Sequence, residues 1–397
     1  MPRLDCQTAG ESHGPAVISV ITGLPAHLPL DEDFINAELA RRQGGYGRGG
    51  RQRIEKDRAE YLTGVRHGRT IGSPLTIRIV NKDSRLDDVQ RTPPLFRPRP
   101  GHADLAGSIK YLTTDCRETL ERASARETAA RTVAGTIARC VLRALGIEVF
   151  GFVRSILDAE TDIEVTPDNW RELLAQRDAS KTYCPDQAVT ERQCQAIRQA
   201  KADKDTLGGM LETHVFDLPP GIGSCMDWRD RLDARLAFAV MGIQAFKSVE
   251  IGLGRDVTTR PGSKVHDPIR YDHDLRETRS VGFKRDTNNA GGTEGGMSNG
   301  QPIVVRGAMK PISTLLRGLP SVDLNTKQPQ QSQYERSDVC AVSAASVVME
   351  NVVAFEIARA LLDKFPSDTM MELKASFEQY LQFARDLPLD PPDLTLA

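Results

Sequence analysis

At 397 residues the chain exceeds what one small core needs, and its 39% hydrophobic and 27% charged residues are the balance of a globular protein. A net charge of −2 and only 5% aromatics exclude a global pull toward nucleic acid or anionic lipid, and base stacking as a main theme. Seven scattered cysteines without a C-x-x-C pair argue against a disulfide framework or a zinc site and fit a reducing compartment.

The N-terminal MPRLDCQTAGESHG holds acidic residues and no apolar core, unlike a secretory signal, and no run of about 18 apolar residues follows to span a bilayer. The expectation is a cytoplasmic chain with no membrane segment. In chain order, residues 16–23 read as a buried strand. Residues 31–43 read as a helix with acids in its first turn, Arg41 and Arg42 in its last, and Gly44-Gly45 to stop it. Residues 73–81 alternate, with Leu75, Ile77 and Ile79 on one face. One long helix is expected from about 117 to Leu145, closed by Gly146, with Ala129, Val133, Ile137 and Val141 recurring every four residues. A strand over 147–153 follows. Further strands are expected at 210–216 and 302–307, and a helix–strand unit over 230–252. A last helix near 344–364 carries a stripe of Val348, Val352, Phe355, Ala358 and Leu362. The polar stretch 157–209 and the loop 255–300 read as long excursions from one body. The mixture without regular alternation predicts an α+β fold, with one large domain over 1–365 and a C-terminal tail over 366–397.

Four clusters combine small residues with Arg, His, Ser or Asp. Residues 9–14, AGESHG, set His13 beside Ser12 just before a strand, where a histidine could donate a proton to a leaving phosphate. Residues 41–53 hold five arginines on a glycine-rich backbone, suited to binding a small polyanion through guanidinium forks. Their G-x-G-x-x-G is not a dinucleotide motif, because it follows a helix rather than a strand. An RNA-binding GYGRGGR patch stays open for that segment. The third cluster joins Arg97–Asp104 to Glu121–Thr128; His102 and Asp104 alone are a weak metal pair, so no metal is expected. Arg122 and Arg126 share a helix face and could simply pair with nearby glutamates. The fourth runs from Asn288 to Gly300 and on to Lys310–Thr314, with exposed backbone amides that could cradle phosphate or flavin. Together they describe a site for a small molecule bearing phosphate and carboxylate. They do not by themselves reach a flavin or a reaction, and a flavin-independent phosphatase or phosphate lyase remains open on the same residues.

AGESHG, RRQGGYGRGGR, RPGHADLAGSIKY, ERASARETAAR, MGIQAFKSVEIG, GGTEGGMSNGQP, MKPIST and RSDVCAV, in this order, resemble the chorismate synthase family through to about residue 365. The family usually continues CAV with proline, where Ser343 stands here, and that change is expected to soften the turn behind Asp338. The resemblance implies a β-α-β sandwich, a homotetramer, and reduced FMN (FMNH2) as a cofactor not consumed overall. It implies 5-enolpyruvylshikimate 3-phosphate as substrate and chorismate as product. Carried onto this sequence, it implies FMN contacts from Arg122, Ala123, Ser124, Gln244, Ala245, Gly295, Lys310, Pro311, Ile312, Ser313, Thr314 and Arg336. It implies substrate contacts from Ser12, Arg42, Arg48, Arg99, Arg126 and Arg336. His13 would protonate the departing phosphate, His102 would steady the flavin, and Asp338 would act as base. NADPH or an external flavin reductase would keep the flavin reduced, and the chain's length favours an external reductant.

Overall fold

The computed structural model describes residues 4–49, 56–333, 335 and 338–389. Alternating strands build two antiparallel sheets. The first orders Asp5–Ala9, Ala16–Thr22, Leu75–Val80 and Glu60–Thr63. The second orders Phe246–Ile251, Ile303–Met309, Gly209–Phe216, Glu148–Ile156 and Ala159–Glu160. Two helices, Thr128–Ala144 and Val342–Lys364, pack against each other between them. Thr128–Ala144 leans on the first sheet and Val342–Lys364 on the second, so the layers run sheet, helix, helix, sheet. This is the α+β sandwich the sequence implies.

The two central helices are buried nearly all round rather than along one stripe, since each is covered by a sheet and by the other helix. Close approach is possible because Gly135 faces Asn351: a Cβ there would fall 2.1 Å from the Asn351 carbonyl oxygen. Polar residues inside this layer are paired. Asn351 Nδ2 donates to Glu38 at 2.9 Å, and its side-chain oxygen accepts from Thr136 at 3.0 Å. Glu350 is fully buried and meets Arg41 at 2.5 Å, Arg139 at 3.1 Å and Arg177 at 3.1 Å. Glu38 meets Arg41 at 2.7 Å and Arg139 at 2.8 Å. Burial alone would raise the Glu38 carboxyl, but the charges of Arg41 and Arg139 hold it below the usual carboxylate range.

The single helix expected over 117–145 is two. Arg117–Ala123 ends at Ser124, whose extended backbone (φ −64°, ψ 146°) breaks the chain before a 3₁₀ turn at Ala125–Glu127 and the helix Thr128–Ala144. Serine competes for the backbone: its Oγ accepts from the Arg126 amide at 3.2 Å. The stretch 157–209 is also ordered, with helices Trp170–Ala179 and Gln187–Ala202. They read as polar because one face of each meets solvent. The loop 255–300 is mostly 3₁₀ turns and two short ladders. Beyond residue 365, a helix Met370–Arg385 starts from a Thr369/Glu372 capping box and buries Leu373, Phe377 and Leu381 in the main core. Ser343 belongs to the last central helix. It is buried in the first turn of Val342–Lys364, and its hydroxyl donates to the Thr182 carbonyl at 3.0 Å.

Glu350→Ala leaves three buried guanidiniums short of their counter-charge. We expect a loss of about 3–5 kcal/mol in unfolding free energy, read from the urea midpoint. A loss under about 1 kcal/mol would mean that the surrounding carboxylates or water take over the charge.

Candidate active site

Eight chain segments among the described residues converge on a cavity of about 510 Å³ beside the central helices. That volume lies within the range of about 300–1,000 Å³ usual for small-molecule sites. The turn between the first two strands supplies Ser12 and His13. It needs Gly10, whose φ is +101° and whose absent Cβ would meet the Ala16 carbonyl oxygen at 2.2 Å. The end of helix Glu32–Gln43 supplies Arg42, and the loop after it supplies Arg48. The loop following strand Leu75–Val80 brings Asp83 and Arg85. Arg99 and His102 precede the helix Asp104–Tyr111. The break at Ser124 turns Ala123, Ser124 and Arg126 toward the cavity. Gln244 and Ala245 come from the turn before strand Phe246–Ile251. Lys310, Ile312, Ser313 and Thr314 follow strand Ile303–Met309, and Asp338 precedes the last central helix. Ile243, Met309, Ala344, Ala345 and Val348 form an apolar wall.

The cavity arginines Arg42, Arg48, Arg85, Arg99 and Arg126 each meet a carboxylate. Asp57, fully buried, takes both oxygens to Arg126 Nη1 at 2.7 and 2.8 Å and one to Arg42 Nη1 at 3.4 Å. Arg126 Nε also donates to Asn81 at 2.6 Å, and Arg42 Nε to Thr128 at 3.0 Å. Burial is the main force pulling Arg42 down to about 10, with Asp57 opposing it, so it stays charged at neutral pH. Arg48 pairs with Asp338 at 2.7 Å, and Arg85 with Asp83 at 3.2 Å. Arg99 grips Asp104 through Nε at 2.8 Å and Nη2 at 3.0 Å.

Both histidines have carboxylate partners too. His13 Nδ1 lies 3.0 Å from each oxygen of Glu121. Its Nε2 faces Arg85 Nη2 at 3.4 Å and Asp83 at 3.9 Å. His102 Nδ1 lies 2.5 Å from Asp104 Oδ1 and 3.1 Å from Arg99 Nη2. An ionised carboxylate accepts only, so the shorter contact puts the proton on Nδ1, and the Arg99 approach is then no hydrogen bond. Asp104 is buried, which alone would raise its carboxyl, but hydrogen bonds from His102 and Arg99 hold it well below its ordinary 3.8. Ser124 Oγ donates to Ser12 Oγ at 3.2 Å, and Lys310 Nζ bonds the Gly101 carbonyl.

The cavity therefore gathers His13, His102, Asp338, Ser12, Arg42, Arg48, Arg99, Arg126, Ala123, Ser124, Gln244, Ala245, Lys310, Ile312, Ser313 and Thr314. Arg122 points elsewhere: it is exposed, donates to the Thr8 carbonyl at 2.7 Å and lines a neighbouring cavity with Glu127 and Arg131. Gly295 sits in the turn between Thr293–Glu294 and Met297–Ser298, away from the cavity walls, and Pro311 does not line it. Arg336 lies outside the described residues. Sequence reasoning missed Asp57, Asn81, Asp83, Arg85 and the pairing of Glu121 with His13. A polar run right after a strand, as in Asn81-Lys82-Asp83-Ser84-Arg85, was the available signal for the loop residues.

The chorismate synthase family model matches residues 4–362. The chorismate synthase of Desulforamulus reducens is 48% identical over 389 residues, covering 96% of this chain and 99% of its own. That of Geobacter sulfurreducens is 49% identical over 389 residues, covering 95% and 98%. A crystal structure of chorismate synthase superposes with a TM-score of 0.79 at 38% identity, over 97% of this chain and 99% of that one.

Because the folded-state value of Asp104 lies below its unfolded one, its stabilisation is complete above about pH 4 and lost as pH falls further. The stability gap between wild type and Asp104→Asn should therefore be constant at neutral pH and narrow below about pH 4, by at most about 1.4 kcal/mol per pH unit. Urea titrations at stepped pH measure it. A gap independent of pH would mean that Asp104 is not ionised in the folded protein.

Proposed function

The chain belongs to the chorismate synthase family, and we propose that the cavity described above carries out the family's reaction with reduced FMN. The reaction removes phosphate and a proton from 5-enolpyruvylshikimate 3-phosphate in an anti-1,4-elimination that gives chorismate, the last step of the shikimate pathway. The chain is thus a carbon–oxygen lyase acting on a phosphate ester. The observation that carries the site assignment is that His13, His102 and Asp338, remote in sequence, line one cavity with four of the expected substrate arginines.

A flavin fits the residues present. Ala123, Ser124, Gln244, Ala245, Lys310, Ile312, Ser313 and Thr314 make one side, next to an apolar wall that suits a flat ring. Gln244 Oε1 is buried and has no partner among the described residues, which leaves an acceptor for a ring N–H. Arg122 and Gly295 stand outside this set. Bound reduced FMN would supply the electron density without which the C–O bond to phosphate does not break easily.

The chain's own residues do the rest. Arg42, Arg48, Arg99 and Arg126, with Ser12, hold the phosphate and carboxylates of the substrate. The donors not already committed to Asp57, Asp104 and Asp338 set where those groups can sit. His13 acts as the imidazolium, with Glu121 as its counter-charge on the Nδ1 side: it gives the Nε2 proton to the departing phosphate and is left as the neutral Nδ1–H imidazole. His102, fixed by Asp104, presents its other nitrogen to the cofactor side. Asp338, beside Arg48, is the base that receives the proton from the ring carbon's side of the site.

We further propose a homotetramer, supported by the exposed apolar side chains of Met226, Trp228 and Phe238. All seven cysteines are free thiols, which supports a reducing, cytoplasmic setting. NADPH, through an external flavin reductase, is the proposed reductant.

In an anaerobic assay with the phosphorylated substrate, chorismate absorbance and phosphate release should appear with dithionite-reduced FMN and not with oxidised FMN. His13→Ala and His102→Ala should each lower kcat by roughly 10- to 10⁴-fold, the span of acid–base groups. Turnover with no flavin at all would overturn the cofactor assignment; wild-type rates in both variants would overturn the roles of the histidines.

A further inference from the structure

His13 lies between two acidic groups, and only one is within hydrogen-bonding distance. On the Nδ1 side both Glu121 oxygens lie at 3.0 Å. On the Nε2 side Asp83 is 3.9 Å away and already paired with Arg85. Glu121 also grips the backbone of the same turn. Its carboxylate accepts from the His13 amide at 2.9 Å, and its carbonyl accepts from the Ser12 amide at 3.0 Å. Ring and main chain are thus fixed by one residue.

Glu121 is itself held. It is buried in the helix Arg117–Ala123, and Arg117, one turn earlier on the same face, reaches it at 3.4 Å. Arg117 also donates to Glu335 at 2.8 Å and to the Pro93 carbonyl at 2.7 Å. One guanidinium therefore ties the carboxylate behind His13 to Glu335. Burial alone would raise the Glu121 carboxyl, but hydrogen bonds and charge from His13, and then Arg117, hold it below its ordinary range. An ionised carboxylate can only accept, so Nδ1 carries a proton and Nε2 is the nitrogen presented to the cavity.

From this geometry we infer that Glu121 is a positioning residue for the elimination: it fixes the ring of His13 so that Nε2 faces the leaving phosphate, and Arg117 braces its carboxylate. This rests on the proposed role of His13 as the proton donor to phosphate. Glu121 is not among the residues lining the cavity, so its loss should act on turnover more than on binding.

In protein labelled with ¹⁵N at histidine, the His13 ring signal, identified by its loss in His13→Ala, is expected to show a proton on Nδ1 with no substrate or flavin present. Glu121→Ala should lose that bound proton and lower kcat about 10²-fold, the cost of a misaimed group. KM should change by less than about threefold. Glu121→Gln, whose amide oxygen still accepts from Nδ1, should recover part of the rate. A folded Glu121→Ala with the wild-type ring spectrum, or with KM raised and kcat intact, overturns the inference. Should that variant not fold, the wild-type spectrum decides, since an unprotonated Nδ1 is incompatible with the assignment. Absent turnover in the wild type, with the Nδ1 proton present, would strike the proposed reaction and leave the orientation standing.

Discussion

A guanidinium cannot be taken out of water without a counter-charge, and this constraint shapes the molecule at two depths. Around the central helices, Arg41, Arg139 and Arg177 share the carboxylates of Glu38 and Glu350. At the cavity, Arg42 and Arg126 share Asp57, Arg99 takes Asp104, and Arg48 takes Asp338. The two depths are joined covalently, because Arg41 and Arg42 are neighbours at the end of one helix. One is turned into the core and the other into the site. The packing of the sandwich and the aim of the anion-binding groups are therefore one problem with one solution.

The pairing also limits what the arginines can do. Arg126 commits Nε to Asn81, Nη1 to Asp57 and one Nη2 contact to the Val80 carbonyl. Arg99 commits Nε and Nη2 to Asp104 and Nη1 to Thr314. Few donors remain for a ligand. These two arginines act through charge and one or two fixed directions rather than as mobile forks, which favours a ligand of matching shape over any anion of matching charge. Arg85 is a quarter exposed at its side chain, and meets Asp83 at 3.2 Å and the Arg91 carbonyl at 2.6 Å.

Much of the fold was legible because strand alternation and helix termini are local signals. Leu75, Ile77 and Ile79 are buried on one face as their spacing requires, and Asp31 caps the helix that Gly44 ends. The break at Ser124 was not legible, because apolar periodicity runs straight through it and the competing hydrogen bond is made by one hydroxyl. The order in 157–209 was hidden for a different reason. Arg177 and Tyr183 are tied to Glu350 and the Arg41 carbonyl, partners more than 140 residues away in sequence. The basic half of the site was legible as clusters of Arg and His. Its acidic half was not: Asp57, Asp83 and Glu121 look like surface charges until the fold sets each against its cation.

That asymmetry has a chemical reading. A cation motif can be recognised from sequence because glycine and proline must shape the backbone around it, as in GGYGRGG and RPRPGH. A buried counter-ion needs no special backbone. Asp57 is reached from a loop, Glu121 from a short helix and Asp104 from a helix start. Yet the counter-ions decide which nitrogen of each imidazole faces the cavity. Glu121 engages Nδ1 of His13 and Asp104 engages Nδ1 of His102, so both rings present Nε2. Two histidines with the same tautomeric constraint can still serve different partners, because the groups around their open nitrogens differ. Arg85 and Asp83 stand at His13. Gly101 and Ala103, the residues flanking His102, line the same cavity wall. In the proposed reaction, the division of labour between an acid for phosphate and a donor for the cofactor would be set by what surrounds each Nε2, while the proton on each Nδ1 is fixed by its buried acid.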